Sequence, residues 1–180
     1  MATSENIRID AQLLAGVQMD KATVFRLICE QLPIIVGQYF RAGKYIKEHF
    51  ETTNHYEIYV PKKPLVLIDR MINEHYVQTV DYNTTNDGIV MFKPGKYTLL
   101  YFAQPELPQS EFHEIDIPVM YAAAFKFYIA ARYRARMFGQ TDDSAVSLYK
   151  EYTTALETAD KAMDRREHRR KRMPPGRRTV

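Results

Sequence analysis

The hydrophobic pattern of this chain changes its period twice, and this change constrains the fold more than any other feature. Apolar residues recur at helical spacing from Asp20 to Phe50, alternate with polar residues from His55 to Ala103, and return to helical spacing after Asp116. Such a chain can be neither all-α nor all-β. We therefore predict an α+β, mainly helical protein, with a single domain over residues 1–164 and a basic C-terminal arm over residues 165–180.

The N-terminal helical region is predicted to begin at Asp20, which is placed as an N-cap. Its apolar residues continue at helical spacing through Tyr45, Ile46 and Phe50. Pro33 lies inside this pattern, and proline removes a backbone donor and clashes with the preceding turn. We therefore expect the helix to break near residues 31–33.

Residues 55–103 are predicted to form a small antiparallel, hairpin-rich sheet of about four or five strands. Two turn sequences divide it, Thr85-Asn86-Asp87-Gly88 and Lys93-Pro94-Gly95-Lys96. The expected strands are listed in chain order: 56–60, 65–68, Tyr76–Tyr82, Ile89–Phe92 and Tyr97–Phe102.

Two helices are predicted to follow an extended linker and to form an antiparallel hairpin. The first is capped by Asp116, accepts Pro118 in its first turn and ends at Gly139. The second is capped by Asp142 and Asp143. Its apolar stripe consists of Val146, Tyr149, Tyr152, Leu156, Ala159 and Met163.

Positive charge is concentrated at the C-terminus. Residues 165–180 hold eight basic residues against one acid, a net charge of +7, which leaves −4 for the first 164 residues of a chain whose total is +3. Three interpretations are open: docking on a partner protein, contact with the phosphates of DNA or RNA, and solubilisation. The residues predicted to form this binding arm are Arg165, Arg166, Arg169, Arg170, Lys171, Arg172, Arg177 and Arg178.

Sequence signatures of catalysis are weak, so we expect no enzyme, no cofactor and no metal. The glycines form no phosphate-binding loop, and no Cys or His cluster has zinc spacing. His49, Glu51 and His55 share no predicted face. An acid–base pair of His113 and Asp116 is the enzymatic alternative, but a polar linker followed by a helix cap explains both residues.

Other candidate features have ordinary structural explanations. Cys29 lies among apolar residues, where a buried thiol is expected. Arg132, Arg134 and Arg136 do not form one stripe, because residues two apart on a helix point about 200° from each other. No apolar run approaches the roughly 18 residues of a membrane helix, and residues 1–10 lack the regions of a signal peptide. We therefore expect a protein made and kept in a reducing cytosol.

The order of these segments resembles the head-to-tail adaptor (connector) proteins of tailed bacteriophages. Gly95 to Pro105 fits the pattern Gly-x-Tyr-x-x-x-Tyr-x-x-x-Pro that closes the sheet in that family. An acidic linker over 111–116, a proline-initiated, Ala-rich helix over 118–138 and a final Ala/Tyr helix over 145–163 follow. The resemblance covers roughly residues 20–164 in layout. The long N-terminal helical region and the long basic tail depart from the family pattern.

The resemblance implies a structural subunit of the virion neck, assembled in the host cytoplasm. Its expected partners are the portal protein, the next neck or tail protein, neighbouring copies in a ring of about twelve, and packaged DNA, with no membrane. The segment from Arg165 to Arg178 would be the arm that docks on the portal. The alternative function is a nucleic-acid-binding protein that grips phosphates with its basic tail.

Overall fold

The computed structural model describes the backbone of residues 2–172 and the side chains of residues 2–165. Its described residues divide into two compact units, a helical unit that holds residues 2–35 and 106–172 and a β unit that holds residues 36–105. The fold is α+β and mainly helical, as predicted. The assignment of one domain to residues 1–164 stays a prediction.

The helical unit is built from α1 (Ser4–Ala15), the greater part of α2 (Lys21–Gln38), α3 (Val119–Ala122), α4 (Phe125–Phe138) and α5 (Asp143–Arg172). Helix α4 packs against both α1 and α5, and α3 packs against α5. The predicted C-terminal helical hairpin is confirmed as α4 and α5. The prediction of one continuous helix over 118–138 is wrong, because a turn at residues 123–124 separates α3 from α4. Helix α1 was not predicted.

Short polar side chains define where these helices begin. The Asp20 Oδ2 atom accepts from the Thr23 backbone N–H at 2.8 Å, and the Asp142 Oδ2 atom accepts from the Ala145 N–H at 2.8 Å. The predicted N-caps Asp20 and Asp142 are therefore confirmed, whereas Asp143, also predicted as a cap, is the first residue of α5. The cap assigned to Asp116 is wrong, because α3 begins at Val119 with Pro118 in the N-cap position and no side-chain cap.

The break predicted at residues 31–33 is also wrong, because α2 continues through Pro33. Leu32, Ile35 and Val36 are fully buried on the helix, whereas Pro33 is exposed. Burying each of these side chains contributes about 1.5–3 kcal/mol, which together exceeds the roughly 3 kcal/mol that an internal proline costs.

The β unit holds two three-stranded antiparallel sheets. One has the order β1 (Lys44–Thr52), β6 (Gly95–Ala103), β3 (Leu65–Asn73). The other has the order β2 (Glu57–Tyr59), β5 (Gly88–Met91), β4 (Tyr82–Thr85). Both predicted turns lie between strands. The strand predicted over 76–82 is wrong except at its last residue, because the chain there forms a loop in which Tyr76 has a positive φ of 61°.

Residues 44–52 form strand β1, so the prediction of helix through Phe50 is wrong. Ile46 and Phe50 are four residues apart, a spacing that fits one face of a helix and also one face of a strand. Pairing with β6 over the whole of β1 decides between them.

The β unit requires Gly43 immediately before this strand, since a Cβ there would lie 2.6 Å from the Ala103 carbonyl oxygen.

The core of the β unit lies between its two sheets. Met71, Leu99 and Tyr101 come from one sheet, Ile89 and Met91 come from the other, and all are buried. The rings of Phe50 and Tyr59 stack with their centroids 3.7 Å apart and cover one side of this core.

A buried carboxylate links the sheets. Glu48 on β1 accepts hydrogen bonds from the Tyr59 hydroxyl of the opposite sheet, from the Tyr101 hydroxyl at 2.7 Å and from the Lys62 N–H at 3.3 Å. Burial alone would raise the pKa of Glu48, but the hydrogen bonds outweigh it and the pKa is lowered. Burial and the bond to the carboxylate raise the pKa of Tyr101 to about 12.

Candidate binding surface

A cleft of about 620 Å³ opens on the helical unit between α2, α4 and α5. Its walls combine apolar and basic side chains from three separate parts of the sequence. The residues that line it are Thr23, Arg26, Leu27, Ala131, Arg132, Tyr133, Ala135, Arg136, Gln140, Ala145, Val146, Tyr149 and Lys150.

The floor of the cleft is apolar. Leu27, Ala131 and Ala145 are buried there, whereas Val146 and Tyr149 remain 42% and 52% exposed. These two residues begin the stripe predicted on α5, whose later members Tyr152, Leu156 and Ala159 are buried. The stripe is therefore covered from Tyr152 to Ala159 and exposed at Val146 and Tyr149, so the cleft offers apolar surface to a partner.

The rim of the cleft is basic. Arg26 is paired with Glu30 at 3.2 Å, and both side chains are well exposed. Arg132, Arg136 and Lys150 form no ion pair or hydrogen bond with any of the side chains that the structure describes. The cleft therefore combines three basic side chains that lie outside the described ion pairs with an apolar floor, an arrangement that favours a partner with both acidic and apolar groups.

Arg134 has a different role from its two neighbours. Its Nε atom donates to Asp142 Oδ2 at 2.9 Å and its Nη1 atom donates to the Ala15 carbonyl oxygen at 3.0 Å. The hydrogen bond to Arg134 lowers the pKa of Asp142. This pairing joins α4 to the end of α1 and the start of α5. The three arginines thus do not form one stripe, as predicted, but Arg132 and Arg136 do share the cleft because they lie four residues apart.

The predicted basic arm is described only in part. Helix α5 continues to Arg172, and Arg165 is exposed. The side chains of Arg166, Arg169, Arg170, Lys171 and Arg172 lie outside the described residues, as do Arg177 and Arg178 altogether. The assignment of this arm to portal or DNA binding therefore stays a prediction.

The histidines considered as ligands or catalytic groups each have a local hydrogen-bond partner. The Nδ1 atoms of His49, His55 and His113 lie 2.9, 2.8 and 2.9 Å from a Thr98 hydroxyl, a Phe92 carbonyl and a Ser110 hydroxyl, respectively. Within the part of the chain that the structure describes, no group of three or more His, Cys, Asp or Glu side chains could hold a metal ion.

Cys29 is half-buried on α2, less covered than the sequence indicated. Burial, followed by the neighbouring charge of Glu30, raises the pKa of its thiol. A raised pKa disfavours the thiolate form on which cysteine reactivity depends.

None of the described helices combines the length and apolar character needed to cross a membrane. Comparison with known proteins finds no matching family model and no matching curated protein.

The cleft itself was not predicted from the sequence. The one sequence signal for the cleft was the pair of basic residues four apart on α4. The apolar floor of the cleft has no such signal, because it is assembled from α2, α4 and α5.

Proposed function

We propose that this protein is a non-enzymatic structural subunit of a virion neck ring, which binds the portal and joins the filled head to the tail. The observation that supports the proposal best is the layout. A small β unit of residues 36–105 interrupts a helical unit that ends in a helical hairpin. This is the order in which the sequence resembles the head-to-tail adaptors.

The surface of the helical unit is consistent with a protein that works by contact. Val119, Met137 and Phe138 are more than half exposed, in addition to the open apolar floor of the cleft. Helix α5 runs for 30 residues to Arg172, so its backbone includes six of the eight basic residues of the arm, those between Arg165 and Arg172. A helix whose sequence is rich in cations suits docking against an acidic surface of a neighbouring ring.

The proposal is tested by mixing the full-length chain with portal rings and examining the product by electron microscopy. A matched variant carries Gln at all eight basic positions of the arm, which removes the charge and retains helix propensity. We expect full-length protein to decorate the portal and the Gln variant to leave it bare. Undecorated portals with the full-length chain would refute the neck assignment.

Nucleic-acid binding is the second candidate, favoured by the cations of α5 and of the cleft. It predicts an affinity for DNA that falls by about 10³-fold or more between roughly 50 and 200 mM salt if about six phosphates are contacted. The neck subunit predicts weak binding with a shallow dependence on salt. Measuring DNA affinity as a function of salt for the same two proteins separates the candidates.

A further inference from the structure

The region between the β unit and α3, residues 106–116, is here called the acidic segment. It contains Glu106, Glu111, Glu114 and Asp116 and no lysine or arginine. Two of its apolar side chains face outward, with Leu107 52% and Phe112 67% exposed. Exposed apolar side chains among acids are the chemistry that the basic cleft would recognise.

The acidic segment is held in place by backbone hydrogen bonds to the start of the chain. The Glu5 N–H donates to the Glu111 carbonyl oxygen at 3.3 Å, and the Ile115 N–H donates to the Ala2 carbonyl oxygen at 3.0 Å. An isolated β-bridge joins Thr3 and Glu114 between these bonds. A segment ordered in advance loses less conformational entropy when it binds.

The segment and the cleft of one molecule lie on different sides of α2. Lys21 reaches the segment, with its Nζ atom 3.8 Å from Glu111 Oε1, whereas Thr23 lines the cleft. Helical residues two apart point about 200° from each other. The two surfaces are therefore separate within one molecule, because no residue of the acidic segment lines the cleft and the backbone of the segment is bonded to Ala2 and Glu5. A contact between them would join two copies.

We propose that the acidic segment of one copy docks in the basic cleft of the next, with Leu107 and Phe112 on the apolar floor and the acids beside Arg132, Arg136 and Lys150. The contact joins two different surfaces, so repeated copies form a ring when the rotation closes. This inference deepens the proposed neck function and rests on it, because it assigns the contact between neighbouring subunits.

The test uses a fluorescein-labelled peptide of residues 104–117 and the full-length chain, with binding followed by fluorescence anisotropy. We expect saturable binding to the wild-type chain, weakened about ten-fold or more by Arg132→Glu with Arg136→Glu. Both arginines are exposed, and circular dichroism checks that the variant is folded. The control, Lys47→Glu with Lys96→Glu, makes the same charge change on the β unit and should bind like wild type.

A charge swap makes the test specific. A peptide with Glu111→Lys and Glu114→Lys should bind the wild-type chain poorly and regain affinity for the Arg132→Glu, Arg136→Glu variant. Absence of saturable binding, equal binding by the cleft variant, or no recovery in the swapped pair would overturn the proposal.

The outcomes for the two proposals are separable. If the chain decorates portals but the peptide ignores the cleft, the neck function stands and this contact is wrong. If the peptide binds the cleft in the expected pattern but portals stay bare, the contact between copies stands and the neck assignment falls.

Discussion

Replacing Glu48 with Gln tests how the two sheets of the β unit are held together. The substitution keeps the size of the side chain but removes its charge and exchanges one acceptor oxygen for a donor nitrogen. Glu48 is only 6% exposed and accepts from Tyr59, Tyr101 and the Lys62 N–H. Hydrogen bonds to charged groups contribute about 1.5–3 kcal/mol each and neutral ones about 1 kcal/mol, so weakening the two tyrosine bonds should cost about 2 kcal/mol.

The cost should depend on pH, and its sign follows from the lowered pKa of Glu48. A carboxyl whose folded pKa lies below its unfolded value contributes stability that is present above the unfolded value, about 4.3. That contribution is lost as the pH falls through the folded pKa. Wild type and Glu48→Gln should therefore differ by about 2 kcal/mol at neutral pH and converge in acid.

Urea denaturation followed by tyrosine fluorescence and circular dichroism measures both effects. Glu51→Gln is the matched control, because Glu51 is exposed on the same strand and its replacement should change the free energy of unfolding by less than about 0.5 kcal/mol. The double variants with Tyr59→Phe or Tyr101→Phe should show coupling with Glu48→Gln. A loss below about 0.5 kcal/mol, or a loss that does not change with pH, would refute the reasoning.

Four further substitutions test the packing, each by urea denaturation. Gly88→Ala should cost about 2 kcal/mol or more, because the φ angle of Gly88 is 145° and a Cβ there would lie 2.5 Å from a backbone oxygen of β2. Gly37→Ala on α2 should instead stabilise the protein by about 0.5–1 kcal/mol, because a Cβ there meets open space. Pro33→Ala should stabilise by about 2 kcal/mol, since an internal proline costs about 3 and its restriction of the unfolded chain returns about 1; no gain would mean that α2 is not strained at this position. Tyr152→Phe should cost about 1–2 kcal/mol by removing the buried bond at 2.9 Å from the Gln31 amide, and an unchanged free energy would show that the amide finds another partner.

Features that depend on neighbouring residues were predictable from the sequence. The caps Asp20 and Asp142 and the end of α4 before Gly139 follow from backbone donors and acceptors that a residue nearby in sequence satisfies. The turns before Gly88 and Gly95 follow from positive φ angles that glycine accepts readily. The α+β class follows from the two periods of the hydrophobic pattern.

Features that depend on distant partners were mispredicted. Residues 44–52 carry apolar side chains at a spacing common to helix and strand, and only pairing with β6, some fifty residues later, makes them a strand. Residues 76–81 alternate like a strand but form a loop with only one isolated bridge, Ile72 to Gln78. Pro33 was predicted to break the helix, but the burial of residues on both sides of it keeps α2 continuous.

The candidate site shows the same division. By itself the sequence determined that Arg132 and Arg136 share a helix face and that Arg134 does not, because this depends on helix geometry alone. It also determined that positive charge is concentrated at the C-terminus and that residues 106–116 are acidic, because these properties depend on composition alone. Only the tertiary structure decided that Arg132 and Arg136 lie beside an apolar floor contributed by α2 and α5, and that Arg134 instead forms an ion pair with Asp142. The physical reason is that a cleft is a property of the space between elements, and that space exists only once burial of the core has fixed how the helices pack.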